Sequence, residues 1–496
     1  MGAGIAQLAA QAGAATLLHD PDAAQLEKGL ALIAKGLGKL EGKGRLGGAT
    51  AADVLARVAT VASLTDLAPC GLAIEAVPER LDLKHLVLGK LAEVAGADCI
   101  LATNTSSLAV TEIAAALPHP ERVVGLHFFN PAPIMRLVEV VPGVQTSPGT
   151  VAVAREVGEA MGKHVIDAAD VAGFLVNRVN RPFFLEALQL VQEQVATVEQ
   201  VDRIVRMGAG FRMGPFELMD LIGIETNHAV AEGFHRATYG EPRYRPSPLA
   251  ARMVAAGRLG RKTGEGWYRY ADGKADTAAD PAPPDAGGGA GRMVLVLGVL
   301  PVVEELARAL GDAGFTVERA AGGIEPWLVV DADDTGGTVD APRVRVLHDG
   351  SLHARDPEAA GMHALAPFAA TRLVELTRTS RTRPEAAERA ELLVAALGKH
   401  PEWVQDAPGL VLGRIVGQLV NEAAFLVGEG NGTAEDIDAG LELGLNHPRG
   451  PIAWASALGL AHVLGVLDGL LAERGDPRYR AAPLLRRRLA VDADLT

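Results

Sequence analysis

Residues 99–131 read CILATNTSSLAVTEIAAALPHPERVVGLHFFNP, and they show the pattern on which the fold assignment rests. Two apolar runs, Cys99–Thr103 and Val123–Phe129, have the length and composition of buried β-strands. Between them lies a segment with helical periodicity that starts near Leu108. A strand, a helix and a second strand in this order are typical of a parallel sheet covered by helices.

The same alternation extends through the first third of the chain. Further strand-like runs are ATLLH before Asp20, LAIEAV at Leu72–Val77 and LVEVV at Leu137–Val141. From about Gly173 onward the strands stop, and stretches such as FFLEALQLVQEQV have helical periodicity instead. We therefore predict an α/β domain with helices on both faces of a parallel sheet, followed by an all-α domain.

A linker rich in Pro, Gly, Ala and Asp, Ala271–Arg292, separates this first part from a second part that repeats it. Adding 236 to a residue number of the first part gives the same residue type in the second part at many glycine, proline and charged positions. Such matches indicate an internal duplication, because unrelated helical stretches would share only apolar residues. Matching pairs include His127 with His363, Glu139 with Glu375, Gly162-Lys163-His164 with Gly398-Lys399-His400, Asp202 with Asp438, and Gly214-Pro215 with Gly450-Pro451. The predicted segments are an α/β domain over 1–168, a helical domain over 169–270, the linker over 271–292, a degenerate α/β domain over 293–405 and a second helical domain over 406–496.

Composition excludes several classes of partner. The formal net charge of −14 argues against nucleic acid, since phosphate binding needs a basic surface. No uncharged apolar run reaches the about 20 residues of a membrane span, so no membrane partner is expected. The two cysteines, Cys70 and Cys99, form no disulfide framework and indicate a reducing compartment, which predicts a cytoplasmic protein.

The chain opens inside what looks like a dinucleotide-binding element. Met1-Gly2-Ala3-Gly4-Ile5-Ala6 is similar to the end of a glycine-rich turn and the start of its helix, with Gly2 as the third glycine of the motif. Asp20 then stands where an acidic residue accepts the ribose hydroxyls of NAD. The alternative is an Ala/Gly-rich surface helix followed by an aspartate in a turn. The strand before the turn is missing, which we expect reflects a start codon placed too far downstream rather than a true loss.

Four segments carry polar residues suited to oxidising an alcohol. A neutral histidine can take the hydroxyl proton, a carboxylate can orient it, and hydroxyl or amide groups can hold the oxygen. The candidates are Ser106 after a strand, His127 at a strand end, Glu139 within a strand and Asn177 at the start of the helical domain. Each has a structural alternative: Ser106 as the N-cap of the helix near Leu108, His127 as a half-buried core histidine, and Asn177 as a helix-start cap. Glu139 is harder to dismiss, because an isolated buried carboxylate is costly.

The runs NTSSL, HFFNP, LVEVV, GFLVNR, MGPFELMDLIG and GRKTGEGWYRY, in this order and spacing, resemble the 3-hydroxyacyl-CoA dehydrogenase family. The resemblance covers essentially all of residues 1–270. It implies a Rossmann-type NAD-binding domain plus an all-α dehydrogenase C-terminal domain, with the acyl-CoA in the cleft between them. In this chain the pair would be duplicated, with a degenerate second half.

The resemblance also implies roles for individual residues. His127 would be the base and Glu139 its orienting partner, while Ser106 and Asn177 would contact the substrate oxygen, with Ser106 also near the nicotinamide. Lys43 matches a position that faces CoA, although a nearby family serine is replaced by Gly36; the alternative reading of Lys43 and Lys84 is that of ordinary solvated lysines. Residues that match NAD-contacting positions are Gly2, Asp20, Glu79, Lys84, Asn104, Ser106, Asn130 and Lys262; no metal site is predicted.

The second copy retains His363 and Glu375 but lacks other parts of the site. Gly298-Val299-Leu300-Pro301 contains no glycine motif, Asn130 corresponds to Ala366, and Asn177 to Gly413. We therefore expect a structural role for this copy. Because free-standing family members pair through their helical domains, the two helical domains would form an internal pseudo-dimer, with a homo-oligomer also possible.

The implied activity is NAD-dependent oxidation of a (3S)-3-hydroxyacyl-CoA to the 3-oxoacyl-CoA. Tandem members of this length resemble those used for short or dicarboxylic acyl-CoAs, such as 3-hydroxybutyryl-CoA in fatty-acid β-oxidation or 3-hydroxyadipyl-CoA in aromatic-acid (phenylacetate) catabolism. The alternatives are a related dehydrogenase of a free hydroxy acid, or a non-catalytic scaffold if the first strand is truly absent.

Overall fold

The computed structural model describes residues 1–320, 325–333 and 339–495. These residues divide into two units. Unit 1 comprises Met1–Arg178 with Ala439–Leu445, and unit 2 comprises Val179–Asp438 with Asn446–Thr496. Unit 1 continues ten residues past position 168, where the sequence predicts the first domain to end, and it includes Asn177.

Unit 1 is the α/β part that the sequence predicts. Its strands are β1 (Thr16–His19), β2 (Val58–Val61), β3 (Leu72–Glu75), β4 (Ile100–Thr103), β5 (Val123–Phe128), β6 (Leu137–Pro142) and β7 (His164–Asp167). Its helices are α1 (Gly2–Gln11), α2 (Ala23–Glu41), α3 (Ala51–Leu55), α4 (Leu81–Val94), α5 (Val110–Ala115), α6 (Pro148–Ala160) and, at its boundary, α7 (Val176–Val179).

The central sheet of unit 1 has the order β3-β4-β5-β6-β7 and is buried on both faces. Ile100 and Leu126 belong to one apolar cluster, while Leu101 and Val123 belong to the other. Successive side chains of a strand point to opposite faces, so this division follows from the continuous apolar runs of the sequence. Helices cover both faces, and the carboxyl ends of β3, β4 and β5 lie at one edge because these strands are parallel.

The prediction of a parallel sheet is wrong at one place. Strand β6 runs antiparallel to β5, and His127 pairs directly with Glu139 across this ladder. The reason is the short connection between Phe128 and Leu137, which contains no helix. A parallel crossover needs a dozen or more residues, so the chain reverses direction here instead.

Strands β1 and β2 form a separate parallel pair, and among the described residues no strand pairs with both β1 and β3. The second half differs at the corresponding position. There β10 (Met293–Leu297) pairs with β11 (Thr316–Glu318) on one side and with β12 (Leu328–Asp331) on the other. The seven-stranded sheet of the second half therefore includes a first strand that the first half lacks in the described chain.

Unit 2 contains the two helical segments and this second sheet. The helices before the linker are α8 (Arg181–Gln192), α9 (Val198–Ala209), α10 (Pro215–Ile222), α11 (Ile224–Ala237) and α12 (Pro248–Ala255). The next elements are β8 (Tyr270–Ala271), β9 (Lys274–Ala275), β10, α13 (Pro301–Asp312), β11, β12, β13 (Arg343–Val346), α14 (Leu352–Arg355), β14 (Ala360–His363), β15 (Leu373–Arg378), α15 (Pro384–Ala396) and β16 (His400–Trp403). The chain ends with α16 (Leu412–Gly428), α17 (Ala434–Leu445, which is shared with unit 1), α18 (Pro451–Leu458), α19 (Leu460–Arg474) and α20 (Pro483–Leu489).

Residues that match at the 236-residue offset make equivalent contacts in the two halves. Lys163 Nζ donates to the carbonyls of Ala132 and Met135, both at 2.7 Å. Lys399 Nζ donates in the same way to Phe368 and Thr371, which are the offset partners of those two residues. The conserved local geometry supports the predicted duplication.

A second repeated contact is a carboxylate that caps a helix. Asp202 accepts from the amides of Phe216 and Glu217 at the start of α10. Asp438 does the same for Ile452 and Ala453 at the start of α18. The matching glycines are required for steric reasons: a Cβ at Gly214 would lie 2.3 Å from Asp202 Cγ, and one at Gly450 2.1 Å from Asp438 Cγ.

The predicted linker lies within unit 2 and forms bonds with other residues of that unit. Asp280 forms a two-bond ion pair with Arg206 (3.0 and 2.6 Å), and the amide of Gly287 donates to Ala396.

Cys70 and Cys99 carry free thiols. In the described part of the chain no single helix is long and apolar enough to cross a membrane, whereas the bent pair α18–α19 passes by length and composition alone.

Histidine 447 predicts how unit 2 responds to acid. Its ring is buried against Phe183 and Phe211 (centroids 5.8 and 4.9 Å away), and burial lowers its pKa to about 3. The unfolded chain binds a proton here below about pH 6.5, so stability from this group is full above that pH and is lost as pH falls toward 3. We expect the free energy of urea unfolding of the wild type to fall relative to that of His447→Phe as the pH decreases from 6 to 4. The expected change in this difference is about 1.4 kcal/mol per pH unit. A difference that is independent of pH would contradict this account.

Candidate active site

The central feature of the candidate site is a buried imidazole–carboxylate pair. His127 Nδ1 lies 2.6 Å from Glu139 Oε2, and the two residues are 5% and 0% exposed. The antiparallel register of β5 and β6 brings these two side chains together. With Nδ1 directed at the carboxylate, His127 holds Nε2 as the ring nitrogen that can accept a proton. The sequence-based alternative of a merely half-buried histidine does not describe this pair.

The second oxygen of Glu139 binds the start of the helical segment. Glu139 Oε1 accepts from the amides of Leu175 and Val176 at 3.1 and 2.9 Å. The chain presents these amides after two residues with positive φ, Gly173 (71°) and Phe174 (54°). Glu139 thus has three donors for its charge, which is the compensation that a buried carboxylate needs.

Two phenyl rings pack against the imidazole of His127. The ring of Phe129 is 4.6 Å from it and that of Phe174 is 5.8 Å away. Phe174 precedes the two amides that bind Glu139, so the same short loop orients the carboxylate and limits the rotation of the imidazole. Asn177 follows as the second residue of α7 and is half-buried, which rules out the alternative that it caps the helix start.

The loop that carries Ser106 is fastened at two points. Asn104 Oδ1 accepts from the amide of Phe128, next to His127, at 2.8 Å. Glu79 Oε1 accepts from the hydroxyl of Thr105 (2.6 Å), the amides of Ser106 (2.9 Å) and Ser107 (2.8 Å), and the hydroxyl of Ser107. Partial burial opposes ionisation of Glu79, but the Thr105 hydroxyl, the Lys84 ammonium and the two amides outweigh it and lower the pKa of Glu79 to about 2.

Ser106 is not the helix cap that one alternative proposes. Helix α5 begins at Val110, and Ala109 precedes it without a side-chain hydrogen bond. Both oxygens of Asp170 instead accept from the amides of Val110 and Thr111, at 2.8 and 2.7 Å. Asp170 was not identified from the sequence. The signal that could have indicated it is its position, three residues before the GFLVNR run that begins at Gly173.

Lys84 and Glu75 form a buried pair behind this loop. Lys84 Nζ lies 2.9 Å from Glu75 Oε1 and 3.3 Å from Glu79 Oε2, and its side chain is 1% exposed. The reading of Lys84 as a solvated lysine is therefore wrong. Direct contact of Lys84 with NAD stays a prediction, which this burial does not favour. Glu75 is a second residue that sequence reasoning missed.

The remaining predicted ligand contacts are spread over both units. Gly2 begins α1, whose first turn has no acidic residue and no side-chain cap, and Asp20 follows β1, where its Oδ1 accepts from the amide of Asp22. Helix donors free of acidic neighbours and a carboxylate after the next strand fit the pyrophosphate and ribose of a dinucleotide. Asn130 and Lys43 are exposed, so Lys43 fits its solvated alternative as well as a contact with CoA. Lys262, in unit 2, forms an ion pair with Glu225.

In the corresponding pair of the second half, His363 and Glu375, the imidazole is not free to accept a proton. Glu375 accepts from the amides of Val411 (2.7 Å) and Leu412 (3.1 Å), so its nearer oxygen is 3.5 Å from His363 Nδ1. His363 Nε2 instead faces His462 Nε2 at 3.1 Å, and both rings are fully buried. A Cβ at Gly413 would lie 2.7 Å from His363 Nε2. The nitrogen that would accept a proton is thus already bonded to another imidazole.

Comparison with family models assigns both types of domain. The model "3-hydroxyacyl-CoA dehydrogenase, NAD binding domain" matches residues 1–171. The model "3-hydroxyacyl-CoA dehydrogenase, C-terminal domain" matches two segments, 173–270 and 409–493. The second match falls in the part of the chain that the 236-residue offset predicts to be a copy of the helical domain.

Individual relatives agree with these models. The chain is 35% identical over 496 residues to a 3-hydroxyadipyl-CoA dehydrogenase of Escherichia coli (strain K12), covering 99% of this chain and 96% of that protein. It is 43% identical over 270 residues to a probable 3-hydroxybutyryl-CoA dehydrogenase of Deinococcus radiodurans, covering 54% of this chain and 96% of the relative. A crystal structure of 3-hydroxybutyryl-CoA dehydrogenase from Escherichia coli K12 is similar with a TM-score of 0.84 at 33% identity, covering 99% and 96% of the two chains.

The three donors on Glu139 lead to a prediction about stability. In Glu139→Gln one oxygen is replaced by an NH2 group, which cannot accept from His127 or from the amides of Leu175 and Val176. We expect the free energy of unfolding in urea to fall by about 2–4 kcal/mol. Glu156→Gln, the same change at an exposed position of α6, serves as the control and should leave stability unchanged. Equal effects of the two substitutions would contradict the assigned role of Glu139.

Proposed function

The chain belongs to the 3-hydroxyacyl-CoA dehydrogenase family, and from that premise we propose that it oxidises a (3S)-3-hydroxyacyl-CoA to the 3-oxoacyl-CoA with NAD, using His127 as the base. The observation that carries the residue assignment is the 2.6 Å contact between His127 and Glu139 at the carboxyl end of β5. This pair fixes the orientation of the imidazole with Nε2 directed away from the carboxylate, which is the nitrogen that removal of a hydroxyl proton requires.

The proposed chemistry assigns a separate task to each side chain. His127 Nε2 accepts the proton of the 3-hydroxyl, and the charge that develops on the imidazolium is balanced by Glu139. Ser106 and Asn177 hold the substrate oxygen as it becomes a carbonyl. Bound NAD supplies the hydride acceptor. Phe129 and Phe174 exclude water from the imidazole and keep its ring in one orientation.

We propose a short or dicarboxylic acyl chain as the substrate class. The support comes from the relatives, which are named for 3-hydroxyadipyl-CoA and 3-hydroxybutyryl-CoA. The cytoplasm, inferred from cysteine usage, remains the proposed location.

Replacement of His127 tests the activity. We expect His127→Gln to lower kcat on 3-hydroxybutyryl-CoA by about 100-fold or more, because glutamine cannot take the proton, while the Kd for NADH changes little. Initial rates followed by NADH absorbance and NADH fluorescence titration measure the two quantities. Undiminished turnover of this variant would remove His127 from the mechanism.

A comparison of two substrates tests the alternative function. If the wild type turned over free 3-hydroxybutyrate as fast as 3-hydroxybutyryl-CoA, a dehydrogenase of free hydroxy acids would be favoured.

We also propose that the two helical segments form an internal pseudo-dimer. The segments Glu241–Arg245 (EPRYR) and Asp476–Arg480 (DPRYR) contact each other reciprocally. Arg480 forms two 2.7 Å bonds with Glu241, and Arg245 bonds Asp476 at 3.1 Å. In a two-fold interface residue i contacts j while j contacts i, and these two ion pairs have that relation.

Buried tyrosines and glutamates extend the same symmetry. Tyr244 donates to Glu422 at 2.5 Å, and Tyr479 donates to Glu186 at 3.1 Å. Arg414, which is 0% exposed, adds a 2.7 Å bond to Glu186 between α16 and α8. Removing one partner from such a buried pair leaves an uncompensated charge, so the segments should depend on each other for stability.

Separation of the halves tests the pseudo-dimer. We expect the fragment Met1–Asp272 either to associate into dimers or to unfold more readily than the full chain, because Glu186 and Tyr244 lose their partners. Light scattering gives the assembly state, and thermal unfolding at several protein concentrations gives the stability. A monomeric, stable and fully active fragment would disprove the proposal.

A further inference from the structure

A buried carboxylate that no assignment above uses lies at the end of β3. Glu75 is 3% exposed, and both of its oxygens bind Lys84 Nζ, at 2.9 and 3.1 Å. Its oxygens also accept from the amide of Val77 at 2.7 Å and from the hydroxyl of Thr103 at 2.8 Å. All polar capacity of Glu75 is therefore used inside the protein, and the residue cannot contact a ligand directly.

The pair is connected to the Ser106 loop through Glu79. One oxygen of Glu79 accepts all four donors from Thr105, Ser106 and Ser107, and the other lies 3.3 Å from Lys84 Nζ. Lys84 thus divides its charge between two carboxylates. Its shorter contacts to Glu75 hold the ammonium in place, so Glu79 is attracted by Lys84 without being drawn away from the loop.

We propose that Glu75 is a positioning residue for the dehydrogenase reaction, acting through Lys84 and Glu79 to set the place of Ser106. This proposal rests on the proposed function for the role of Ser106. Without the Glu75 charge, Lys84 would pair with Glu79 alone and pull its carboxylate from the amides of Ser106 and Ser107. A donor displaced by about 1 Å from a developing carbonyl oxygen costs up to about 100-fold in rate.

The second half shows a strand-end carboxylate with a different partner. Asp331 ends β12, as Glu75 ends β3, and its cation is Arg345 on the adjacent strand β13. In the first half the adjacent strand supplies Thr103 instead, and the cation comes from helix α4. Asp331 thus pairs with a cation of its own sheet, whereas Glu75 pairs with Lys84 of α4, which also lies 3.3 Å from Glu79.

A double-mutant cycle tests the relay in the full-length protein. We expect Glu75→Gln to lower kcat by about 10- to 100-fold with KM for the acyl-CoA changed less than about threefold, because Ser106 acts on the oxygen as it becomes a carbonyl. In a Lys84→Met background the same change should have no further effect, since both residues act along one path. An equal loss in both backgrounds would overturn the proposal, as would unchanged kcat in folded Glu75→Gln.

A second readout does not depend on activity. Hydrogen exchange at the amides of Ser106 and Ser107 should accelerate about 10-fold or more in Glu75→Gln, while exchange in β5 and β6 stays as in wild type. The control is Arg122→Gln, which removes another buried cation that binds the carbonyls of Ala92 and Gly96 at the opposite edge of the sheet. It should lower stability without selective exchange at Ser106.

Exchange also separates this proposal from the proposed function. If wild type oxidised no 3-hydroxyacyl-CoA, the function would fail, but selective exchange at Ser106 in Glu75→Gln would still establish the relay. If Glu75→Gln accelerated exchange uniformly throughout unit 1, or did not accelerate it at Ser106 and Ser107, the relay would be overturned. This outcome does not depend on whether the protein is active. If Lys84→Met folds poorly, exchange in Glu75→Gln alone decides.

Discussion

The carboxylate of Glu139 is the constraint on which the site depends. A carboxylate with no exposure to solvent needs hydrogen-bond donors on every side, and its three donors come from two separate parts of the chain. One is the imidazole on the neighbouring strand, and the other two are amides at the start of the helical segment. The same charge therefore fixes the tautomer of His127 and anchors the segment that continues to Asn177.

Much of the fold could be predicted from the order of apolar runs. The strands around Ile100 and Val123 are found where their sequence indicates them, because residues buried on both faces leave a continuous apolar run. The reversal at β6 was not predicted, since a periodic pattern carries no strand direction. Only the length of the connection after Phe128 contains that information.

The candidate site was predicted unevenly, for a related reason. His127 and Glu139 could be named because a buried carboxylate within an apolar strand is chemically conspicuous. Asp170 could not, because its partners Val110 and Thr111 are 60 and 59 residues away in the chain. Glu75 could not either, because the hydroxyl of Thr103, 28 residues away, reaches it only once the sheet is assembled. Lys84 shows the limit most clearly: a lysine in a polar stretch reads as solvated, yet its ammonium is enclosed by two glutamates that the turn after β3 brings together.

The second half retains the scaffold while its imidazole has a different partner. His462 bonds to His363 at the nitrogen that a substrate hydroxyl would need, and Glu375 has given both oxygens to backbone amides. When His363 carries its proton on Nδ1, the Nε2–H of His462 donates to Nε2 of His363. The second half thus keeps the fold, but Nε2 of His363 is not available to accept a proton from a substrate.

The reciprocal contacts of EPRYR and DPRYR have a consequence for how the molecule behaves on dilution. In a homodimer, two such faces meet by collision and separate when the protein is scarce. Here one polypeptide carries both faces, so their local concentration is set by the covalent tether and stays constant however little protein the cell makes. Because the two halves are encoded separately, a substitution can alter the His363 site of one half without altering the His127 site of the other.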